Sequence, residues 1–216
     1  MDQLPIIEEA DGRLSARFPA DRPGAGVAVD FAAMRFPDGM ASVRGLPVVR
    51  ACGRPAFRQD DAAEQIRLVD ATAGLGYDAY LLAIAGFHVT AIERSLEVFR
   101  LLADGLHRHP VERLAILHGQ AATLLPTLAP DVVYLDPMYP PKNRSSALPS
   151  KDMQIVRALV GDDTDSAALF AVAREVARRV VVKRPAHAAP LGEPSMQITG
   201  KLARFDVYIG EARSKK

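Results

Sequence analysis

Apolar and polar positions divide the chain into two regimes. From Ile66 onward, short apolar runs alternate with stretches of helical spacing. Residues 66–69, 88–92, 114–117, 131–135 and 179–182 are runs too short for helices and rich in β-branched side chains, so they read as buried strands. Between them, 77–85 carries Leu81, Leu82 and Ala85 on one face and ends at Gly86, a residue suited to a helix C-terminus. Ser95 is placed to cap a helix whose apolar face is Val98, Leu101, Leu102 and Leu106. Residues 150–160 and 165–177 read as two more helices, and 195–199 with 205–209 as a closing strand pair. Strands alternating with helices predict an α/β fold with a mostly parallel, doubly wound sheet.

Before Ile66 the pattern is weaker. Residues 1–26 are polar and rich in Pro and Gly, with only short strand-like pieces. Residues 27–31 read as a strand, Pro37-Asp38-Gly39 as a turn, 45–53 as a short helix and 55–61 as a linker. We therefore expect a small N-terminal subdomain over 1–42 and a main domain over 43–216.

Composition narrows the class without naming a function. The 216 residues are 49% hydrophobic and 25% charged, as in an ordinary globular protein. No apolar run approaches the roughly 20 residues of a membrane span, so no membrane partner and a cytoplasmic location are expected. Cys52 is alone and is expected to be a buried thiol. The histidines show no metal-ligand spacing with Cys or carboxylates, so no metal is expected. Net charge is only +1, but unevenly placed: residues 1–135 carry 13 Lys and Arg against 17 Asp and Glu, and residues 136–216 carry 14 against 9. A basic second half is compatible with a polyanionic partner.

The first strand of the regular region runs into Asp70 and then Gly74-Leu75-Gly76-Tyr77-Asp78-Ala79. This matches G-x-G-x-x-G/A, in which glycines allow a sharp turn and close approach of a ligand to the backbone over a helix N-terminus. Glu93 lies 23 residues after Asp70 at the end of the next strand, where a carboxylate can accept both hydroxyls of an adenosine ribose. These features alone leave a dinucleotide and S-adenosylmethionine both open. Asp70 ahead of the glycines suits a cofactor bearing a sulfonium and an ammonium better than one bearing a pyrophosphate. Asp78 either holds the same group or favours the helix N-terminus by its charge.

The densest chemistry lies in 132–141, Val-Val-Tyr-Leu-Asp-Pro-Met-Tyr-Pro-Pro. The apolar half is a buried strand, and Pro137, Pro140 and Pro141 stop it. Asp136 and Tyr139 are thus held on a stiff loop at the C-terminal sheet edge, where ligands bind in open α/β sheets. Asp/Asn-Pro-Pro-aromatic loops in this place are found in methyltransferases that act on amino nitrogens. An aromatic amino group is a poor nucleophile because its lone pair is spread into the ring. The Asp136 carboxylate and the Pro137 carbonyl can accept its two N–H bonds, and Tyr139 can stack on the base. Alignment of an in-line transfer supplies the remaining rate.

Several stretches together resemble a known family: Val69 to Gly76, Glu93-Arg94, 132–141 with Lys142, Ser146-Ala147-Leu148, Leu159-Val160-Gly161, Arg-Val-Val-Val-Lys-Arg-Pro from Arg179, and Arg-Phe-Asp-Val-Tyr from Arg204. They look like the bacterial 16S ribosomal RNA guanine-N2 methyltransferases of the RsmJ type. The resemblance implies a class I, Rossmann-like methyltransferase fold with an antiparallel closing strand, S-adenosylmethionine as cofactor, and methylation of a guanine amino group near the 3′ end of the small-subunit RNA. Its cofactor-contacting positions fall here on Tyr77, Asp78, Glu93, Arg94, Gln120, Ala121 and Asp136. This chain departs from its relatives at Tyr77, where they tend to have Arg, and at Gln120-Ala121, where they tend to have a Ser pair.

With an RNA substrate, Lys142, Arg144, Lys151, Lys183 and Arg184 are candidate phosphate contacts around one mouth of the site. For Lys183 and Arg184 the alternative is bracing of the Asp136 loop. The target base must leave its stack to reach Asp136. The partner expected is 16S RNA or the small ribosomal subunit. Competing readings are adenine-N6 methylation of DNA or glutamine methylation of a protein by the same loop, a nicotinamide-dependent oxidoreductase, and a non-catalytic RNA-binding module.

Overall fold

The structure is a computed structural model that describes residues 4–36, 39–53, 65–138, 150–161 and 165–210. At its centre is a seven-stranded sheet built from β3 (Arg67–Asp70), β4 (His88–Glu93), β5 (Leu114–His118), β6 (Val132–Leu135), β7 (Arg179–Arg184), β8 (Met196–Thr199) and β9 (Arg204–Ile209), in the order β5-β4-β3-β6-β7-β9-β8. The five strands from β5 to β7 are parallel, and β9 closes antiparallel between β7 and β8. All four residues of β6 are buried, because helices cover both faces of the sheet, and this is why the parallel strands read as unbroken apolar runs.

One face of the sheet is covered by α1 (Gly39–Gly45), α2 (Pro47–Cys52) and α3 (Tyr77–Ala85), whose Val43, Val49 and Leu82 share a core with Leu68 and Tyr134. The other face carries α5 (Ala121–Leu128) and α7 (Ser166–Val176), with Leu125 and Ala173 against Val133 and Val180. Side-chain caps set two helix starts, the first of them as the sequence predicts. Ser95 Oγ accepts from the Val98 N–H at the head of α4 (Leu96–Arg108), and Ser150 Oγ accepts from Met153 N–H at the head of α6 (Lys151–Val160). Gly86 ends α3 in the left-handed region at φ 110°, a conformation that costs glycine nothing sterically.

The N-terminal segment differs from the sequence expectation. Residues 6–17 form a hairpin, β1 (Ile6–Ala10) and β2 (Arg13–Arg17), turning at Asp11 and Gly12 with φ 52° and 68°. The strand expected over 27–31 is reduced to a single bridge, Val27 with Ala16. At its far end Asp30 instead caps a 3₁₀ turn over Phe31–Ala33 by accepting from the Ala33 N–H, a local bond that competes with strand pairing. Phe31 stacks on Tyr80, ring centroids 4.1 Å apart, and joins Val29, Leu75, Leu101, Leu102 and Ile155 in a third apolar cluster. Residues 55–61, expected to be a linker, lie outside the described residues.

Gly76, at the head of α3, has φ 79°, and a Cβ built there would stand 2.3 Å from Leu102 Cδ1. Leu102 is fully buried, so it has little room to yield. Gly76→Ala is expected to cost about 2–4 kcal/mol, from left-handed strain and overpacking together. Urea denaturation measures the loss. The same change in a Leu102→Ala background relieves the clash and leaves the strain, so equal losses in the two backgrounds would refute the steric share.

Candidate active site

The C-terminal ends of β3, β4 and β6 converge on one region, since parallel strands all point their carboxyl ends the same way. Two hollows open there and share a wall made by Thr72, Gly74, Asp136, Pro137, Met138 and Val156. The first runs along Glu93, Arg94, Gly119, Gln120 and Ala121 toward α7. The second runs along Asp70, Tyr77, Asp78, Tyr134 and Lys183 toward α6. The residues predicted from the glycine turn, from Glu93 and from Asp136 are therefore brought together.

The glycine turn is tied to both neighbouring strands. Gly74 N–H donates to Glu93 Oε2 at 2.8 Å, and Ser95 N–H donates to Glu93 Oε1 at 2.7 Å. Glu93 is buried, and burial raises its carboxyl above the ordinary range although the N–H groups of Ser95 and Gly74 pull it back. The backbone N–H groups of Ser95, Gly74 and Arg94 hold the carboxylate, and with about four acceptor sites it keeps capacity for a ribose hydroxyl. Arg94 reaches across the first hollow to the Asp165 carboxylate, at 3.1 and 3.2 Å. Gln120 caps α5 by its backbone and is exposed, while Ala121 is buried beside it.

Asp136 is fixed through its backbone, whose N–H donates to Thr72 Oγ1 at 2.6 Å. Its side chain is about one-third exposed and pairs through Oδ2 with Lys183 Nζ at 2.9 Å. The same ammonium stands 2.9 Å from Asp78 Oδ2, which also accepts from the Tyr134 hydroxyl at 2.6 Å. Burial opposes the charge on Lys183, but the carboxylates of Asp136 and Asp78 outweigh it and raise the ammonium above its usual range. Burial likewise raises the Tyr134 phenol, and the nearby Asp78 and Asp136 charges add to it, so Tyr134 is a neutral donor at neutral pH.

The contact of Lys183 with Asp136 matches the bracing alternative read from the sequence, whereas Tyr134 and Thr72 are site features that the sequence reading does not name. A tyrosine in an otherwise aliphatic buried strand is a usable signal, because its hydroxyl needs a partner. Tyr77 lines the second hollow, and its hydroxyl accepts from Asp30 N–H at 3.3 Å. Lys151 Nζ bonds the Ala25 carbonyl at 2.7 Å and Asp21 at 3.0 Å, joining α6 to the N-terminal segment. Arg184 is buried and donates to the Ala189 carbonyl. Tyr139, Pro140, Lys142 and Arg144 lie outside the described residues. Among the described residues no group of three metal-ligating side chains is found, and no helix is long and apolar enough to cross a membrane.

The sheet order, the glycine turn under Glu93 and Asp136-Pro137 beside it define a Rossmann-like, class I methyltransferase fold. The family described as putative SAM-dependent methyltransferase matches residues 6–210. A protein of Thioalkalivibrio sulfidiphilus named ribosomal RNA small subunit methyltransferase J is 42% identical, over 95% of this chain and 84% of that one. Its namesake in Brucella anthropi is 45% identical over 77% of this chain and 84% of its own. The crystal structure of a SAM-dependent methyltransferase from Neisseria gonorrhoeae superposes with a TM-score of 0.67 at 31% identity, over 100% of this chain and 86% of that one. The chain belongs to the SAM-dependent methyltransferase family that includes the ribosomal RNA small subunit methyltransferases J. The oxidoreductase and non-catalytic readings fall with that finding, and S-adenosylmethionine is the cofactor.

The site's own chemistry fits that cofactor. Asp70 is almost wholly buried, with Thr72 N–H on its Oδ1 at 3.1 Å, and burial raises its carboxyl well above the ordinary range, with Asp78 and Asp136 adding to it. The Lys183 ammonium offsets part of this, and a cationic ligand group beside Asp70 would relieve more. A raised folded-state pKa means that the folded protein holds a proton which the unfolded chain releases near pH 4. The contribution of Asp70 to ligand-free stability is thus fully present below that pH and is lost as pH rises through the folded value. Cofactor affinity is expected to rise with pH over the same window. Thermal melting with and without S-adenosylmethionine across pH, in wild type and Asp70→Asn, measures both slopes. Identical slopes in the two proteins would remove Asp70 from the account.

Proposed function

We propose that the protein transfers the methyl group of S-adenosylmethionine to the exocyclic N2 amino group of a guanine near the 3′ end of 16S ribosomal RNA. The observation that carries the amino-nitrogen chemistry is Asp136 at the end of β6, held by Thr72 and facing both hollows. The RNA substrate is supported by kinship with proteins named for small-subunit ribosomal RNA. A ribosomal substrate is consistent with work in the cytoplasm.

When bound, the cofactor supplies an electrophilic methyl on a sulfonium. In this reading Glu93 holds the ribose hydroxyls, Gln120 and Ala121 border the adenine, and Asp70 faces the cationic end. Asp136 and the Pro137 carbonyl accept the two N2–H bonds, which aims the nitrogen lone pair at the methyl carbon. The N–C bond forms as the S–C bond breaks, its electron pair stays on sulfur, and the nitrogen then sheds one proton. Tyr139 is assigned to stacking on the base. Lys142 and Arg144 are assigned to RNA phosphates, whereas for Lys151, Lys183 and Arg184 the contacts with Asp21 and Ala25, with Asp136 and Asp78, and with Ala189 favour bracing over phosphate binding.

Incubating small subunits stripped of this methyl with labelled S-adenosylmethionine and mass-mapping the RNA tests the reading. N2-methylguanine near the 3′ end is the expected product. Label appearing in DNA or in a protein glutamine instead of RNA would overturn it.

A further inference from the structure

Asp78 and Asp136 hold the Lys183 ammonium from two sides, each at 2.9 Å. Asp78 is itself fixed by the Tyr134 hydroxyl at 2.6 Å. A simple counterion for Asp136 would need only the bond to Asp136 itself. The second tether comes from the first turn of α3 and keeps the ammonium in place when Asp136 engages another partner. Pairing of Leu135 with Val182 in the β6–β7 ladder sets Lys183 alongside Asp136, and both line the hollow that also holds Met138 and Met153. The side chain is about 30% exposed, so a ligand on Asp136 can meet it.

A carboxylate with an ammonium beside one of its oxygens presents a defined pattern: acceptor, acceptor, donor. The Watson–Crick edge of guanine presents the complement in order, with N2–H and N1–H as donors and O6 as acceptor. Adenine places a lone pair at N1 where guanine has a hydrogen, so a carboxylate that spans both positions meets it with repulsion. A flipped base is read along this edge, and a site built around polar partners discriminates strongly against analogues that leave them unpaired.

We propose that Lys183 is a specificity-determining residue, which donates to O6 of the target guanine while Asp136 accepts from N1–H and N2–H. The inference rests on guanine-N2 methylation as the reaction. It gives a residue expected from sequence to bind phosphate or to brace the Asp136 loop a direct part in choosing the base. Lys183 also positions Asp136, so loss of rate in a Lys183 variant cannot by itself distinguish reading from bracing. Coupling to the O6 atom can.

The test uses small-subunit RNA ligated with guanine or 6-thioguanine at the methylated nucleotide. Sulfur accepts hydrogen bonds weakly, while N1–H and N2–H remain. Wild type is expected to lose about tenfold in kcat/KM with 6-thioguanine, the scale of one charge-assisted hydrogen bond. In Lys183→Met the same replacement is expected to change kcat/KM by less than about twofold, since the donor is already gone. Losses that multiply would show that Lys183 only braces Asp136 and would overturn the proposal. Equal rates on the two RNAs in wild type would overturn it without any variant. If Lys183→Met does not fold, Lys183→Gln carries the comparison, with a penalty between those of wild type and none. Failure of wild type to form N2-methylguanine on unmodified RNA would remove the parent function, and this inference with it, and is read separately from the sulfur effect.

Discussion

Asp136→Asn protein is expected to bind cofactor and to transfer methyl about 10²–10³-fold more slowly, a loss on the scale of removing one preorganised polar group from a reacting centre. The backbone bond from Asp136 N–H to Thr72 Oγ1 does not involve the side chain, so the loop keeps its place. The amide, however, offers one oxygen where the carboxylate offers two, and its NH₂ faces either the substrate amino group or Lys183. Whichever way it turns, a donor meets a donor. The lost interaction is one that orients the nucleophile, so the effect belongs in kcat rather than in substrate affinity. Affinity for S-adenosylhomocysteine is expected to hold within about tenfold, the range of a single hydrogen bond. Single-turnover transfer to stripped small subunits, with equilibrium titration of the product cofactor, separates the two quantities. A wild-type single-turnover rate in Asp136→Asn would remove Asp136 from the chemistry.

The parts of this site that the sequence discloses share one property: they sit at the carboxyl ends of parallel strands. Asp70, Glu93 and Asp136 each follow a buried apolar run, and once those runs are recognised as strands of one parallel sheet their ends must lie on one edge. Helix α3 is equally plain, because Gly76 and Gly86 bracket it and the expected bounds match Tyr77–Ala85. Lys183 shows the limit. Its strand and its edge are legible, but its partners depend on the β6–β7 register and on Asp78 arriving from the other side of the glycine turn. Arg184 follows Lys183 at the end of a strand whose middle is three valines, and the packing of the 185–189 loop over it accounts for its buried guanidinium.

Other misses have a different cause. The hairpin over 6–17 does have a local signal: Asp11-Gly12 between two five-residue strands is a favoured two-residue turn. Its strands carry Glu8, Glu9, Arg13 and Arg17 and bury only Ala16, so alternation is weak and the turn is the better clue. Helix α5 was not expected because Pro126 lies inside it. Pro126 removes one intrahelical donor, and burial of Ala121 and Leu125 against the sheet offsets that loss. For α5, tertiary burial, which a local pattern does not contain, decides the outcome.

Arg204→Met is expected to destabilise the protein by about 3–5 kcal/mol, the cost of leaving a buried charge without its partner. Asp206 on β9 is fully buried, and Arg204 meets it with Nε on Oδ1 at 2.7 Å and Nη2 on Oδ2 at 2.9 Å, with Gln197 Nε2 adding a third donor at 2.8 Å. The same guanidinium donates to the carbonyls of Ala186 and Ala188 at 2.8 and 2.7 Å. Those carbonyls belong to the loop that leaves β7 just after Lys183 and Arg184, and Pro185 in that loop lines the hollow beside Asp136. The closing antiparallel ribbon therefore supports the active site through one arginine, although no residue of β9 reaches the hollow. Methionine keeps most of the volume but supplies none of the donors. Replacing the acid as well, in Arg204→Met/Asp206→Leu, removes the orphaned charge and is expected to recover most of the stability, because an apolar pair of similar size is often as stable as a buried ion pair. The double variant still lacks the bonds to Ala186 and Ala188, so its methyl-transfer rate is expected to stay low after its stability returns. Urea denaturation of both variants gives the first comparison, and transfer rates at matched folded fraction give the second. Full recovery of rate along with stability would show that the loop holds Lys183 in place without the help of Arg204.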